Sequence, residues 1–314
     1  MKTVAVAHSG GRDSTALLHA VCAQARALRL RVAALHVHHG LQPDADRWVR
    51  HVQRQCARWA AAGAPLECHV TRLAGAPAPG DSVEAWARRE RYAALARMAR
   101  EAHAGLLLLG HHRTDQAETV LLQALRGGGL TAAAAMRGQW RQDGLTWARP
   151  WLDHPRSAIE AYVRRHRLRY VDDPSNQGDA YGRSRLRQRV WPALVQAFPE
   201  AEAQLHASAR HAALQAQALR DWTAASLLDL LDGRPDGEAL PIERLQRFSP
   251  AQQALLLRDW LAPRLPLGVP FSLLQRLPAE LAKARSGATW PVPQGRLVRQ
   301  GGWLRWTAGG QGAN

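Results

Sequence analysis

Apolar positions along the chain fall into short clusters whose period keeps changing. Thr3-Val4-Ala5-Val6-Ala7 is a near-continuous apolar run with β-branched residues, which predicts a buried strand; behind it, Leu17, Leu18, Val21 and Cys22 recur at helical spacing. Between the two stands the polar, glycine-containing segment Ser9-Gly10-Gly11-Arg12-Asp13-Ser14. The same alternation then repeats: strand over Val32 to Val37, helix over Asp44 to Ala61, strand over Pro65 to Val70, helix over Ser82 to Ala102, strand over Gly105 to Leu109 and helix over Thr114 to Leu125. Strands alternating with helices in this way predict an α/β fold, a doubly wound parallel sheet with right-handed crossovers and helices on both faces.

Two breaks, Ala74-Gly75-Ala76-Pro77-Ala78-Pro79-Gly80 and Arg126-Gly127-Gly128-Gly129, are expected to be mobile loops. Past Phe198 the strand signal fades. Pro199 to Leu231 reads as a long helical stretch rich in Ala, Gln and Leu, stopped by Asp232-Gly233-Arg234-Pro235, and Leu240 to Leu281 continues with helices broken by proline. The Trp- and Gly-containing end reads as a small hairpin. These shifts predict two domains, residues 1–198 as the α/β unit and 199–314 as a mainly helical one, in keeping with the usual division of a chain of 314 residues.

Charge changes the picture more than bulk composition does. Lys and Arg number 42 against 26 Asp and Glu, a formal +16 made up almost wholly of arginine, whose planar fork suits phosphate oxygens. A polyanionic partner is expected, although an Arg- and Ala-rich composition also arises from coding bias alone. The three cysteines, Cys22, Cys56 and Cys68, are scattered and form no C-x-x-C pair, which argues against a disulfide framework or a thiolate metal site. No window approaches the ~18 consecutive apolar residues of a membrane span, and no signal-peptide pattern opens the chain, so a reducing, cytoplasmic setting without a membrane partner is expected.

Chemistry concentrates at the first turn. A glycine-containing loop between strand and helix offers backbone N–H groups and the positive helix end to phosphate oxygens, with Ser9 and Ser14 as hydroxyl donors. Asp13 would repel phosphate unless a cation lay between, so Mg²⁺ is expected there. The pattern is neither a Walker loop nor Gly-x-Gly-x-x-Gly, and its composition also permits an ordinary capped turn. On the helix from Thr114, Asp115 and Glu118 are three residues apart and share a face; Arg88 and Arg91 do likewise on the preceding long helix, and fit either phosphate or a solvated surface. Arg183, Arg185, Arg187 and Arg189 form a further basic series. His36, His38, His39, His111 and His112 cluster at strand ends, where imidazoles line a nucleotide crevice as readily as they bind zinc; the crevice reading is preferred.

Taken in order, several segments narrow the family. They are Ser9-Gly10-Gly11-Arg12-Asp13-Ser14, His36-Val37-His38-His39-Gly40-Leu41, Ala87-Arg88-Arg89-Glu90-Arg91-Tyr92, Gly110-His111-His112-Arg113-Thr114-Asp115-Gln116-Ala117-Glu118-Thr119, Arg126 to Leu130, Arg149-Pro150-Trp151-Leu152, Asp173-Pro174-Ser175-Asn176 and Arg183-Ser184-Arg185-Leu186-Arg187. The first resembles the N-type ATP pyrophosphatases, the PP-loop superfamily with its adenine nucleotide alpha hydrolase-like fold. The whole series resembles the tRNA(Ile)-lysidine synthases, strongly over the first two-thirds of the chain.

That resemblance implies a ligase that adenylates the wobble cytidine of the CAU anticodon of isoleucine tRNA at its C2 oxygen, releasing pyrophosphate. Free L-lysine then displaces AMP to give lysidine, changing codon recognition from AUG to AUA. It implies ATP as substrate with Mg²⁺, and no obligatory protein partner is readable. Site residues carried over are Ser9, Gly10, Gly11, Arg12, Asp13, Ser14 and His36 for ATP, with Asp13 on the metal. Asp13, Asp115, Glu118, Arg91 and Arg183 are carried over for catalysis, and Arg88, Arg183, Arg185 and Arg187 for tRNA.

Asp115 and Glu118 are open to three roles: holding the lysine ammonium, helping position Mg²⁺, or taking a proton from the amine. Three positions depart from the family pattern: Thr114 stands where an acidic residue is common, Gln42 where a basic one is, and Ser184 where Asn is usual. The additional C-terminal domain of longer relatives is expected to be missing. Other readings are a thiolase-like enzyme of the same loop class, for which paired cysteines are wanting, an amidating synthetase with a small-molecule acceptor, and a nucleic-acid-binding protein with a decayed site.

Overall fold

The computed structural model describes residues 1–38, 40, 44–78, 82–171, 182–232, 237–265 and 268–308. His39, Gln42 and the 173–176 segment therefore lie outside the described residues. Two compact units are present, Met1–Ala213 and Leu214–Asn314.

In the first unit the chain runs β1 (Thr3–Ala7), α1 (Arg12–Ala25), β2 (Arg31–His38), α2 (Ala45–Ala61), β3 (Leu66–Arg72), α3 (Val83–Glu101), β4 (Ala104–Leu108), α4 (Arg113–Leu125) and α5 (Leu130–Ala133). It continues through β5 (Gln139–Gln142), β6 (Leu145–Ala148), α6 (Arg156–Arg165), α7 (Gly182–Arg185), a π-helical turn at Leu186–Val190, α8 (Trp191–Ala197) and α9 (Ala201–Leu230). The six strands are ordered β3-β2-β1-β4-β6-β5, all parallel except β5, which pairs antiparallel with β6.

The apolar runs explain the layering. Because successive strand residues face opposite ways, Val6, Val32 and Ala34 meet Leu17, Leu18 and Cys22 of α1 and Val52 and Cys56 of α2 on one face. Ala5, Ala33, Leu35 and Leu107 meet Leu95, Met98 and Ala99 of α3 on the other. With helices on both faces and a strand order that reverses between β1 and β4, the crevice beyond the carboxyl ends of these two strands is the natural place for a ligand. The segments that follow β1 and β4 are Ser9 to Ser14 and Gly110 to Asp115.

The β5–β6 hairpin was not anticipated. Its signal was present as Asp143-Gly144 between tryptophan-bearing strands; both residues take positive φ, 49° and 78°, as a tight two-residue hairpin turn requires. Arg126-Gly127-Gly128, expected as a loop, closes α4: Gly128 N donates to Gln123 O and Gly127 N to Ala124 O.

The second unit is mainly helical, as expected, and carries a sheet as well. Besides α10 (Ile242–Leu245), α11 (Pro250–Leu261) and α12 (Phe271–Lys283), it has a four-stranded antiparallel sheet ordered β7-β10-β9-β8. Its strands are β7 (Ala239–Pro241), β8 (Thr289–Val292), β9 (Gly295–Gln300) and β10 (Trp303–Ala308). The end segment read as a hairpin is thus a three-strand meander joined by β7, with Leu297 and Leu304 packed against leucines of α11 and α12. The division between the two units falls inside α9 at Ala213, and the fading strand signal predicts a domain boundary near Phe198. Among the described residues no helix is long and apolar enough to cross a membrane.

Leu107 lies at 0% exposure at the centre of the α3-side core. Its replacement by alanine should destabilise the first unit by about 2–5 kcal/mol, read as a lowered urea midpoint.

Candidate active site

The loop Ser9 to Ser14 is shaped by its own polar groups. Gly10 takes φ +88°, and a Cβ there would come within 3.1 Å of Val52 Cγ2, so both conformation and space demand glycine. Ser14 Oγ donates to Gly11 O at 3.0 Å and accepts from Ser9 N at 3.2 Å; Ser9 Oγ lies 3.0 Å from it. Val171 N donates to Gly10 O, tying in the segment after α6. Gly110, just past β4, presses on the loop from the other side: a Cβ would meet the backbone of Asp13 and Ser14 at 3.3 Å. This is why a glycine begins the segment Gly110 to Thr119.

The guanidinium of Arg12, a residue expected at ATP, pairs with two carboxylates. Its Nε meets Asp13 Oδ1 at 2.9 Å and its Nη1 meets Glu160 Oε1 of α6 at 2.7 Å, a carboxylate that also receives Arg156. Burial works against charge on Asp13, but hydrogen bonds from His112 and Arg12 outweigh it and bring the carboxyl down to about 2. His112 Nε2 sits 3.7 Å from Asp13 Oδ2 and 3.5 Å from Asp115 Oδ2, so one imidazole edge stands between the acid of the loop and the acid of α4. His36 is buried at the end of β2, its Nδ1 2.9 Å from His8 O.

Asp115 and Glu118 share a face, as their spacing predicts, and both are met by arginines from residues 182–190. Arg183 donates to Glu118 Oε2 at 2.8 Å and Asp115 Oδ1 at 3.0 Å; Arg187 grips both Glu118 oxygens at 2.7 Å and reaches Asp115 Oδ1 at 3.4 Å. Arg183 and Arg187, expected at tRNA, thus have their guanidiniums turned onto carboxylates, while Arg185 between them is exposed. Two residues along a helix is about 200° of rotation, which separates Arg185 from its neighbours. Burial of Glu118 opposes its ionisation, yet Arg187 and Arg183 hold its pKa below the ordinary value.

A cationic group borders the acidic pair. Arg149, contributed by the chain just past β6, donates to His111 Nδ1 at 3.2 Å, to Tyr92 Oη at 3.2 Å and to Arg137 O at 2.6 Å, and lies 4.4 Å over Trp140. Tyr92 stacks on Trp147, and Trp147 on Trp140. Arg88 donates to Tyr92 Oη at 3.3 Å. Burial, followed by the charges of Arg149, Arg183, Arg91 and Arg88, keeps the His111 pKa well below its usual value, so this ring is neutral. Arg88 and Arg91 of α3 are thus both near enough to His111 for their charge to act on it.

Thr114 is engaged with α9. It is buried, and its hydroxyl donates to Glu202 Oε2 at 3.0 Å while Arg113 Nε takes Glu202 Oε1 at 2.8 Å. A carboxylate from α9 thus stands beside position 114, where the family resemblance leads an acid to be expected. The cap of α4 is not Thr114: Asp115 Oδ2 accepts from the His112 backbone N at 2.9 Å. His8, Gln55, Arg149, Glu160 and Glu202 were not singled out from the sequence. Arg149 sits in a segment that was quoted for its likeness alone, and the other four carry no local signal. Among the described residues no three His, Cys, Asp or Glu side chains gather as a metal cage.

Residues 1–194 match the PP-loop domain family. The chain is 44% identical over 318 aligned residues to the tRNA(Ile)-lysidine synthase of Ralstonia nicotianae, covering 99% of this chain and 66% of that protein. It is 43% identical over 256 residues to the tRNA(Ile)-lysidine synthase of Polaromonas naphthalenivorans, covering 82% of this chain and 74% of that one. It thus spans roughly two-thirds to three-quarters of their lengths. A solved U34-tRNA thiolase of Methanococcus maripaludis with its [4Fe-4S] cluster shares the fold at TM-score 0.57 and 14% identity, over 67% of this chain and 71% of that one.

Glu118→Gln keeps the side-chain shape and removes the charge facing two guanidiniums. It should cost roughly 2–3 kcal/mol, below the figure for a fully enclosed pair because Arg183 and Arg187 keep 30% and 31% exposure. Since the folded-state pKa is depressed, this contribution is complete above the unfolded Glu value of about 4.3 and is lost as pH falls through the folded one. Urea unfolding of parent and variant at stepped pH should show the gap at neutral pH and its closure in acid.

Proposed function

The chain belongs to the tRNA(Ile)-lysidine synthase family of PP-loop proteins, and on that premise we propose that it is an ATP-dependent ligase acting on tRNA. The acceptor is the wobble cytidine in the CAU anticodon of isoleucine tRNA. Its C2 oxygen attacks the α-phosphate of ATP, pyrophosphate departs, and the amine of free lysine then displaces AMP from C2. Activation is needed because a pyrimidine carbonyl oxygen leaves poorly and AMP leaves well.

The observation that carries this reading is the meeting of Asp13 and Asp115 at His112 Nε2, within 3.7 Å, beside a basic cluster. Two segments a hundred residues apart thereby form one site at the switch point of the sheet. Ser9, Gly10, Gly11 and Ser14 would take the phosphates through backbone N–H groups and hydroxyls, with His36 behind them. Arg12 would act through Asp13 and Glu160 rather than on ATP.

Asp13, held ionised and offering a single carboxylate, suits Mg²⁺, which keeps waters and shares substrate phosphate oxygens. Bound there, the ion would offset phosphate charge.

Glu118 is a poor general base, because its low pKa leaves little drive to take a proton. Its place is to hold Arg183 and Arg187 toward the reacting phosphate. Asp115, at the edge of the pair, is the better seat for the lysine ammonium. Arg88, Arg91 and Arg149 would meet the developing phosphate charge and the anticodon backbone, and exposed Arg185 the tRNA phosphates. Residues 1–198 would carry the chemistry and residues 199–314 would help position the tRNA.

A sulfur-transfer reading is not favoured: Cys22 and Cys56 are packed in the core, and burial pushes the Cys22 thiol up to about 11.

Incubation with radiolabelled lysine, ATP, Mg²⁺ and isoleucine tRNA bearing CAU should label that tRNA and leave methionine tRNA unlabelled; labelling of neither would discard the acceptor assignment. Asp13→Ala should abolish turnover, and normal turnover would remove the loop from the chemistry. Arg183→Ala should lower the rate by about 10²-fold or more in a protein that still folds, at a reduced melting temperature, because Arg187 continues to hold both Glu118 oxygens; a normal rate would remove Arg183 from the site.

A further inference from the structure

Beneath the phosphate loop lies a histidine that the scheme above leaves unused. His8 connects β1 to Ser9 and is 1% exposed. Its ring touches two other parts of the unit. Nε2 lies 3.1 Å from Gln55 Oε1 of α2, and Nδ1 lies 3.4 Å from Ser14 Oγ.

Gln55 settles the tautomer. Its Nε2 donates to Arg169 O at 2.6 Å, which turns the amide oxygen toward His8. An amide oxygen only accepts, so the proton of the neutral ring is on Nε2 and Nδ1 is a bare acceptor. Burial, with the nearby His36, keeps this ring neutral, its pKa down at about 3. Ser14 Oγ therefore has two acceptors for its one proton, Gly11 O at 3.0 Å and Nδ1 at 3.4 Å, which share it. Its lone pairs are left to receive Ser9, whose N and Oγ are 3.2 and 3.0 Å away.

We propose that His8, oriented by Gln55, is a positioning residue for nucleotide binding: it fixes the direction of the Ser14 hydroxyl and, through Ser14, the conformation of Ser9 in which the loop receives phosphate. This deepens the phosphate-loop reading and rests on it.

The test is ATP affinity by calorimetry on the full chain with Mg²⁺, which needs no tRNA. His8→Asn places an acceptor near the Nδ1 position, His8→Gln keeps a donor for Gln55 but loses the Ser14 side, and Gln55→Met leaves His8 without its guide. Asn should bind ATP within about twofold of the parent, whereas Gln and Met should bind about tenfold more weakly, all three with parental circular dichroism. Equal affinity in all variants, or the same loss in Asn as in Gln, would overturn the role assigned to Nδ1. A variant that fails to fold is replaced by measuring the ATP KM against kcat in the others: a rise in KM at near-parental kcat supports the proposal, and a fall in kcat alone defeats it. If the parent itself does not bind ATP, the phosphate-loop reading falls, an outcome distinct from parental binding that the His8 variants leave unchanged.

Discussion

Glu118 is fully enclosed and ionised, and much of the site is arranged around that fact. An isolated carboxylate in such a place would cost several kcal/mol, so the fold must deliver cations to it. It does so from a single short stretch, where Arg183 and Arg187 lie one helical turn apart and close on both oxygens. The same guanidiniums then extend to Asp115, whose other oxygen caps α4 and faces His112. Charge balance at one buried atom pair thus fixes the orientation of a helix start, a histidine edge and, through it, the acid of the phosphate loop.

The loop is governed by a different constraint, closeness of backbone. Gly110 admits the Asp13–Ser14 peptide from the β4 side and Gly10 lets the chain turn over Val52. Below it the polar groups are satisfied one by one through His8, Gln55 and Arg169 O. The fold brings the loop after β1, the turn after β4, α2 and the segment after α6 together although these four stretches are far apart in the chain.

That separation explains what was legible. Strand and helix positions in the first unit followed from apolar period, because each element buries its own stripe; Val32 to Val37 against the observed Arg31–His38 is typical of the agreement. Asp115 with Glu118, and Arg88 with Arg91, were readable because three residues on a helix define a shared face. What could not be read was pairing between elements. Nothing local tells Arg12 that its partner is Glu160, or tells Arg183 and Arg187 that they will spend their charge on carboxylates. The meander of the second unit was under-read for a related reason: β8 and β7 are four and three residues long, too short for alternation to show.

Thr114 and Glu202 give one more consequence. The hydroxyl of the first answers a carboxylate of the second across 88 residues of sequence, with Arg113 holding the same group. α9 thus supplies a carboxylate to the start of α4, so residues 113, 114 and 202 form a single electrostatic unit. An acid at 114 would set two negative groups against the Arg113 guanidinium, a repulsion that a neutral residue at 202 would relieve. Residues 114 and 202 are therefore two halves of one charge balance, and neither can be interpreted alone.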